Sequence, residues 1–247
     1  MIKKKDLLIE KLEWDSMFFG FNVALLNKNF LSIEFIEPIN SFIENEKITV
    51  VQFLSEMNNY ESMLLAKSND FNFSDIRSTY EKNINEFIKL EIPTNYSLNK
   101  ANQKDIIELK KLSNLVCMNS RYFFDKNFSK IKINEFYENW IEKGVLGLFD
   151  DECYCLYFHE FPVGFCTILY ESAEKASIGL FSISNKHQNK GLAKILLSYV
   201  NNILYKKGIK IISVVTQGRN IAAQRAYQKA GYISKTTEVW YHKWIKK

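Results

Sequence analysis

The sequence predicts an α/β (α+β) fold. Short apolar runs typical of strands alternate with segments in which apolar residues recur at helical spacing. The clearest pair lies in the second half of the chain, where residues 176–184 are mostly apolar or small and a polar turn then leads to Gly191. An amphipathic helix begins there. Its predicted apolar face comprises Leu192, Ile195, Leu196, Tyr199, Val200, Ile203 and Leu204.

Residues 1–92 are expected to form a smaller α/β domain. A helical stripe over 32–45 is expected to be interrupted at Pro38, because proline lacks the amide hydrogen that a helix interior needs. The aromatic run 14–20 is interpreted as a packed turn, and the stretch 91–95 as the linker to the second half. The remaining segments of this half are predicted strands at 21–26, 49–54 and 71–78 and a predicted helix at 57–67.

Residues 93–247 are expected to form the larger domain. Two helices come first, one over 105–118 and one that Ser129 can cap and Gly144 can end. The apolar run 209–216 is typical of a strand covered on both faces. The predicted strands of this half are 145–149, 152–158, 163–170, 176–184, 209–216 and 238–244.

Composition and charge exclude several classes of function. The net charge is +5 and the lysines are scattered, so no basic stripe for nucleic acid is present, although small anionic ligands are favoured. No apolar run reaches the length of a membrane span, and the N-terminus lacks the apolar region of a signal peptide. Cys117, Cys153, Cys155 and Cys166 complete no zinc set, so we expect free thiols in a reducing cytoplasm and no metal.

The turn before the predicted helix at Gly191 is a candidate anion site. The first N–H groups of a helix lack partners within the helix and carry partial positive charge, so a pyrophosphate can dock on them. Small residues at Gly191 and Ala193 allow close approach, and Lys190 and Lys194 add positive charge. On geometry alone, an ordinary helix N-terminus is the alternative. The segment comprises Gln188, Asn189, Lys190, Gly191, Leu192, Ala193 and Lys194.

These residues resemble the GNAT superfamily of N-acetyltransferases. The pattern Gln-x-x-Gly-x-Ala, with Ile183 before it, is similar to the acyl-CoA loop of that superfamily. The run Asn220, Ala223, Ala226, Tyr227, Lys229, Gly231 and Tyr232 resembles its last helix. Asn185 stands where many relatives carry proline, which a loop that binds through backbone amides tolerates. The resemblance implies a GNAT fold with a mixed, mostly antiparallel sheet flanked by helices, and it makes the first 92 residues similar to a degenerate GNAT half.

Four further motifs resemble the subgroup of TDP-fucosamine acetyltransferases and relatives that acylate nucleotide-linked amino sugars. They lie at 14–20, 120–123, 216–220 and 240–244, and so span both halves of the chain. The resemblance implies transfer of an acetyl or short acyl group, such as 3-hydroxybutyryl, from CoA to the 3-amino or 4-amino group of a dTDP-linked amino-6-deoxyhexose. The product would serve synthesis of a surface polysaccharide or lipopolysaccharide. Two alternatives stay open: another amine acceptor, such as a protein N-terminus, polyamine or antibiotic, or a non-catalytic CoA-binding or nucleotide-binding module.

The resemblance also implies roles for individual residues. Tyr227 matches the general acid that protonates the leaving thiolate, and Asn220 is expected to bond the pantetheine arm or a site water, or to cap the helix. The backbone of Phe181, Ser182 and Ile183 is expected to pair with pantetheine like an added strand, because the strand before the loop splays from the next one. The N–H of Phe181 is a candidate donor to the thioester oxygen.

The acceptor is expected near the loop between the first two helices of the larger domain. Arg121 could pair with a diphosphate, and Tyr122 or Phe123 could stack on a base or sugar; Ser120 belongs to the same motif. Trp14 and Phe18 either close this pocket or form inter-domain core. No general base is assigned. A homodimer joined through the aromatic final strand is a further expectation.

Overall fold

A computed structural model describes residues 7–245, and these fall into two compact units. The first unit consists of the chain up to Arg77 together with the segment from Thr237 onward, and the second consists of Ser78–Thr236. Residues 84–88 belong to the second unit, where Ile84 donates its N–H to the carbonyl of Lys210 and Asn202 bonds both backbone groups of Ile88. The domain boundary after residue 92 stays a prediction. The division of labour between two domains stays a prediction.

The first unit is built on a small mixed sheet with helices. Strand β1 pairs antiparallel with β2, β2 pairs parallel with β3, and β3 pairs antiparallel with β10. Its core includes Ile39, Val51 and Phe53, and Tyr241 stacks on Phe53. The elements are β1 (Ile9–Lys11), α1 (Glu13–Phe19), β2 (Val23–Leu26), α2 (Ile33–Asn45), β3 (Val50–Glu56), α3 (Tyr60–Ser68), the start of β4 (Asn72–Asn83) and the end of β10 (Ile233–Trp244).

The second unit is a mostly antiparallel sheet flanked by helices, as the sequence predicts. Strands β5, β6, β7 and β8 pair antiparallel in that order, and β9 then pairs parallel with β8. Helix α7 supplies Leu196 and Val200 to the principal core, and α4 and α6 pack on each other and on β7. The further elements are β5 (Tyr96–Lys100), α4 (Ile106–Cys117), α5 (Arg121–Phe124), α6 (Lys130–Val145), β6 (Glu152–Phe158), β7 (Phe161–Tyr170), β8 (Lys175–Ile183), α7 (Leu192–Lys206), β9 (Ile211–Gln217) and α8 (Ile221–Lys229).

The side chain of Glu152 forms hydrogen bonds with residues of three strands and with the end of α7. Its carboxylate accepts hydrogen bonds of 2.5–3.0 Å from Lys100, Tyr154, Tyr170 and Lys207. Burial alone would raise the pKa of Glu152, but these four donors lower it to about 2. The carboxylate is therefore ionised in the folded protein over almost the whole pH range.

Three local predictions were wrong. Residues 145–149 form the end of α6 and a turn rather than a strand. Helix α2 runs through Pro38 without interruption, and its apolar face is buried through Ile39 and Ile43, which follow the proline. The aromatic run at 14–20 is the short helix α1, which Gly20 ends in the left-handed conformation at φ 78°.

No helix in residues 7–245 combines the length and apolarity that a membrane crossing needs. The homodimer stays a prediction.

Candidate functional site

Strand β8 separates from β9 halfway along its length. The parallel pairing runs from Lys175 opposite Ile211 to Ile178 opposite Val214 and ends there, although both strands continue. Ser184 donates its N–H to Val163 of β7 at 2.8 Å. Because N–H groups of an antiparallel strand alternate between its two sides, the N–H of Phe181 points away from β7, toward the edge that β9 leaves open.

A β-bulge lies beside this open edge. The register of β7 and β8 shifts between Cys166 and Ile168, and Leu180 donates its N–H to the side-chain oxygen of Thr167 at 2.7 Å. Asp150 lies next to this bulge, with its carboxylate against Gly179. Neither Thr167 nor Asp150 is predicted as a site residue from the sequence. The isolated glycine in a predicted strand was the available signal, since glycine there often marks a bulge or a close approach.

The N-terminus of α7 is open to an anion. Gly191 is its N-cap at φ 77°, no side chain caps the first turn, and a Cβ added at Gly191 would meet nothing within 4 Å. Gln188 donates from its side-chain amide to the carbonyl of Ile183 at 2.8 Å and to Asn185 at 3.1 Å. The side chain of Gln188 thus holds the loop, and Asn189 follows with φ 61°. The free N–H groups begin at the buried Leu192.

Lysines surround this helix end. Lys190 and Lys194 are exposed, on the two sides of Gly191. Lys82 of β4 donates to the carbonyl of Ala230 at 2.7 Å. Burial, and then repulsion by the nearby Lys194, lowers the pKa of Lys82. The region therefore has an excess of positive charge that an anionic ligand would relieve.

Tyr227 lies in a cage of three aromatic rings. Its ring centroid is 5.9 Å from that of Phe181, 6.1 Å from Tyr80 and 6.0 Å from Tyr232. Only 4% of the residue is exposed, and within residues 7–245 its hydroxyl has no hydrogen-bond partner. Burial raises the pKa of Tyr227 well above its ordinary value, with a smaller contribution from Cys166. The hydroxyl is therefore protonated at neutral pH and unused by the fold.

Helix α8, which carries Tyr227, is fixed at its beginning. Asn220 caps it by accepting the N–H of Ala223 at 3.1 Å, which is one of the two roles predicted for this residue. Tyr80 donates its hydroxyl to Gln224 at 3.1 Å, and the amide of Gln224 donates to the carbonyl of Gly218 at 2.8 Å. The hydrogen bond between Tyr80 and Gln224 joins positions far apart in the chain, so no local sequence pattern predicts it.

The predicted acceptor motif forms α5 and its cap. Ser120 caps the helix by accepting the N–H of Phe123, and Tyr122 is buried against Phe128 and Phe136. The guanidinium of Arg121 lies 4.3 Å from the ring of Tyr122 and donates to its hydroxyl at 2.7 Å. Ser120 and Tyr122 are buried, and Arg121 and Phe123 are half-exposed.

Arg219, which follows β9, contacts helix α5. Its guanidinium stacks 3.7 Å from the ring centroid of Phe124, and it immediately precedes the cap of α8 at Asn220. Lys130 lies equally close to the ring of Phe123 at 3.7 Å. The predicted acceptor motif and the helix of Tyr227 are therefore neighbours within the second unit.

Trp14 and Phe18 lie in α1 of the first unit, with ring centroids 5.6 Å apart. Their predicted share in an acceptor pocket stays a prediction. A cavity of about 620 Å³ lies elsewhere, beside β5 and the start of α4, and is lined by Asn99, Asp105 and Tyr157 among others. None of the predicted site residues lines it.

The four cysteines are free and buried. Burial raises the pKa of every one of these thiols, to about 11 for Cys117 and further for the other three. Within residues 7–245, no three His, Cys, Asp or Glu side chains are grouped as metal ligands would be.

Comparison with known protein families gives a match to this region. Residues 117–232 match the model of the Acetyltransferase (GNAT) family. The match begins at the end of α4 and ends just beyond α8, so it includes the open strand edge, the loop before α7 and Tyr227.

Similar individual proteins span nearly the whole chain. A protein of Escherichia coli O6:H1 named dTDP-fucosamine acetyltransferase is 23% identical over 240 residues, which are 95% of this chain and 97% of that protein. A solved structure of a functionally unknown conserved protein from Staphylococcus epidermidis has a TM-score of 0.67 and 15% identity, and the match covers 92% of this chain and 86% of that one. A GCN5-related N-acetyltransferase from Sphaerobacter thermophilus has a TM-score of 0.66 and 12% identity over 97% of this chain and 76% of that one. At these identities the structural likeness establishes the fold alone.

Proposed function

We propose that the chain transfers an acetyl or short acyl group, such as 3-hydroxybutyryl, from CoA to the amino group of a dTDP-linked amino-6-deoxyhexose, since residues 117–232 match the Acetyltransferase (GNAT) family. CoA-dependent acyl transfer is the activity of the family. The observation that carries the proposal is the meeting of an open strand edge, an uncapped helix N-terminus and an unpartnered tyrosine hydroxyl in one unit.

The donor binds through backbone groups. The N–H groups of Leu192, Ala193 and Lys194 receive the pyrophosphate, and Lys190 adds charge at the same helix end. Pantetheine pairs with the free edge of β8 at 181–183 like an added strand. The open space at Gly191 supports this placement, because a phosphate has to approach the main chain closely there.

The chemistry is attack of a neutral amine on the thioester carbonyl. The new C–N bond forms as the carbonyl oxygen gains negative charge, and the N–H of Phe181 donates to that oxygen. The C–S bond then breaks, and Tyr227 gives its proton to the leaving sulfur. The pKa of Tyr227 lies above its ordinary value, so the phenol carries this proton at neutral pH. The attacking amine loses its own proton to water, and the phenolate is protonated again from solvent.

The acceptor proposal depends on the relative named dTDP-fucosamine acetyltransferase and on the cations beside α5. Arg121 presents a planar guanidinium, the group best suited to a diphosphate. The proposed setting is the cytoplasm, where the buried free thiols would stay reduced, and the product would enter surface-polysaccharide synthesis.

A thiol-release assay tests the proposal. The protein is mixed with acetyl-CoA or 3-hydroxybutyryl-CoA and with dTDP-linked 3-amino or 4-amino sugars, and free CoA is followed spectrophotometrically. We expect turnover with one of these sugars. A polyamine and a peptide with a free N-terminus serve as competing acceptors. Turnover with these alone would replace the sugar by another amine, whereas CoA binding without turnover on any acceptor would indicate a non-catalytic module.

A further inference from the structure

Two buried polar side chains beside the open strand edge take no part in the chemistry proposed above. Thr167 is 0% exposed and Asp150 is 3% exposed. Both lie where β7 and β8 change register, next to the point at which β8 leaves β9. A buried carboxylate is costly to fold unless its surroundings compensate, so its position at this bulge calls for a physical reason.

Thr167 replaces a backbone partner of the sheet. In a regular ladder the N–H of Leu180 would bond a carbonyl of β7, but here it donates to the hydroxyl oxygen of Thr167 at 2.7 Å. Because a side-chain oxygen takes the place of a backbone carbonyl, β8 can have one extra residue opposite β7 at this point. This arrangement also keeps the N–H of Leu180 turned toward β7, which leaves the N–H of the next residue, Phe181, pointing outward.

Asp150 lies close to that hydroxyl. Trp140 donates its indole N–H to the carboxylate at 3.0 Å, and the carboxylate interacts with the side chain of Thr167. A hydroxyl hydrogen directed at Asp150 would leave the lone pairs of the threonine oxygen facing Leu180. Asp150 is thus placed to orient the hydroxyl that accepts the N–H of Leu180.

Two glycines make room for the carboxylate. A Cβ at Gly179 would lie 2.6 Å from one oxygen of Asp150 and 2.7 Å from the other, and a Cβ at Gly144 would lie 3.4 Å from the first. Within residues 7–245, no lysine or arginine forms an ion pair with Asp150. Helix α6 and strand β8 are thus both shaped around a carboxylate whose hydrogen-bond donors are neutral.

We infer that Thr167 and Asp150 are positioning residues, which hold the N–H of Phe181 in line with the thioester oxygen through the bulge at Gly179. The inference rests on the proposed function, since it assigns the donor for that reaction. It adds two residues that act through the backbone and do not touch substrate.

The test uses substitutions that change the hydroxyl and keep the shape. Thr167→Val removes the hydroxyl at nearly constant volume, and Thr167→Ser restores it. Asp150→Asn keeps the outline of the carboxylate and serves if the valine variant does not fold. Asp151→Asn is the matched control, because the neighbouring carboxylate accepts the N–H of Tyr170 at 2.7 Å on the exposed side of the chain.

The first readout is the infrared carbonyl stretch of ¹³C-labelled acetyl-CoA bound to the protein, which needs no acceptor. We expect a shift to lower frequency in the wild type and in Thr167→Ser, and loss of that shift in Thr167→Val. The second readout is kinetic. With an acceptor that turns over, Thr167→Val should lower kcat by about 10- to 100-fold while KM for acetyl-CoA changes less than about threefold, since an oxyanion donor acts mainly in the transition state.

An unshifted carbonyl in the wild type, or an undiminished shift and kcat in a folded Thr167→Val protein, would overturn the inference. So would equal losses in the serine and valine variants, which would indicate a packing role. If the wild type binds acetyl-CoA with a shifted carbonyl but acylates no dTDP-linked sugar, the acceptor proposal fails and the positioning inference stands. If it does not bind acetyl-CoA at all, both fail.

Discussion

Replacing Tyr227 by phenylalanine should separate chemistry from folding. The ring keeps its contacts with Phe181, Tyr80 and Tyr232, which are 5.9–6.1 Å away between centroids. The deleted hydroxyl has no hydrogen-bond partner within residues 7–245. The fold therefore loses almost nothing, whereas the proposed proton donor disappears.

The two magnitudes differ widely. Loss of a hydroxyl that bonds to nothing should change the free energy of unfolding by less than about 0.5 kcal/mol. Loss of a general acid lowers kcat by about 10²- to 10⁴-fold, which corresponds to about 3–5 kcal/mol in the activation barrier. Affinity for CoA should hardly change, because the proposed contacts to CoA come from the backbone of β8 and the start of α7.

The assay compares kcat from thiol release, CoA affinity from calorimetry and the midpoint of urea unfolding. Tyr232→Phe is the matched control from the same aromatic cage. Its hydroxyl donates to Asn201 at 3.0 Å, so its loss should cost about 1–2 kcal/mol of stability while kcat changes only a few fold. A Tyr227→Phe protein that keeps more than about a tenth of kcat, against the expected loss, would refute the assignment of the acid.

Three further predictions test the helix ends and the fold. Gly191→Ala and Gly208→Ala place a side chain at φ 77° and φ 82° at opposite ends of α7, and both side chains face open space. Each substitution should lower the free energy of urea unfolding by about 1 kcal/mol. Only Gly191→Ala should weaken CoA binding in calorimetry. Asn220→Ala removes the cap of α8 and should cost about 1 kcal/mol in the same unfolding assay, whereas Asn220→Asp should cost less. Because its hydrogen-bond donors lower the pKa of Glu152 to about 2, the stabilisation it contributes is complete above the ordinary glutamate pKa and is lost as the pH falls toward 2. Urea unfolding at a series of acid pH values should show a loss of about 2 kcal/mol in the free energy of unfolding from this group. Glu152→Gln should make that pH dependence shallower.

The loop and helices around the donor site could be predicted because their signals are local. A glycine at the start of α7, an asparagine at the start of α8 and an apolar stripe between them are short-range features, and the structure places α7 at Leu192–Lys206 and α8 at Ile221–Lys229. Element boundaries differ from the predicted ones by a few residues. The roles of these residues in catalysis stay predictions.

The partners of the predicted site could not be found in this way, because they are distant in the chain. Tyr80 reaches Gln224 across 144 positions, and Asp150 reaches a bulge formed by two later strands. The strand predicted at residues 145–149 was wrong for a related reason. Leu146, Leu148 and Phe149 look like a strand in sequence, but they are at least 40% exposed and continue from a helix that packs on α4.

Phe181 links the two halves of the proposed chemistry. Its backbone N–H faces the open edge of β8, and its ring lies edge-on to the ring of Tyr227 at an interplanar angle of 60°. The path of β8 therefore decides both where the oxyanion donor points and where the acid lies. A strand that merely ended early would leave this path undefined, since an open edge has no neighbour to hold it. The bulge at Gly179, supported from one face of the sheet by Thr167 and Asp150, supplies the missing constraint.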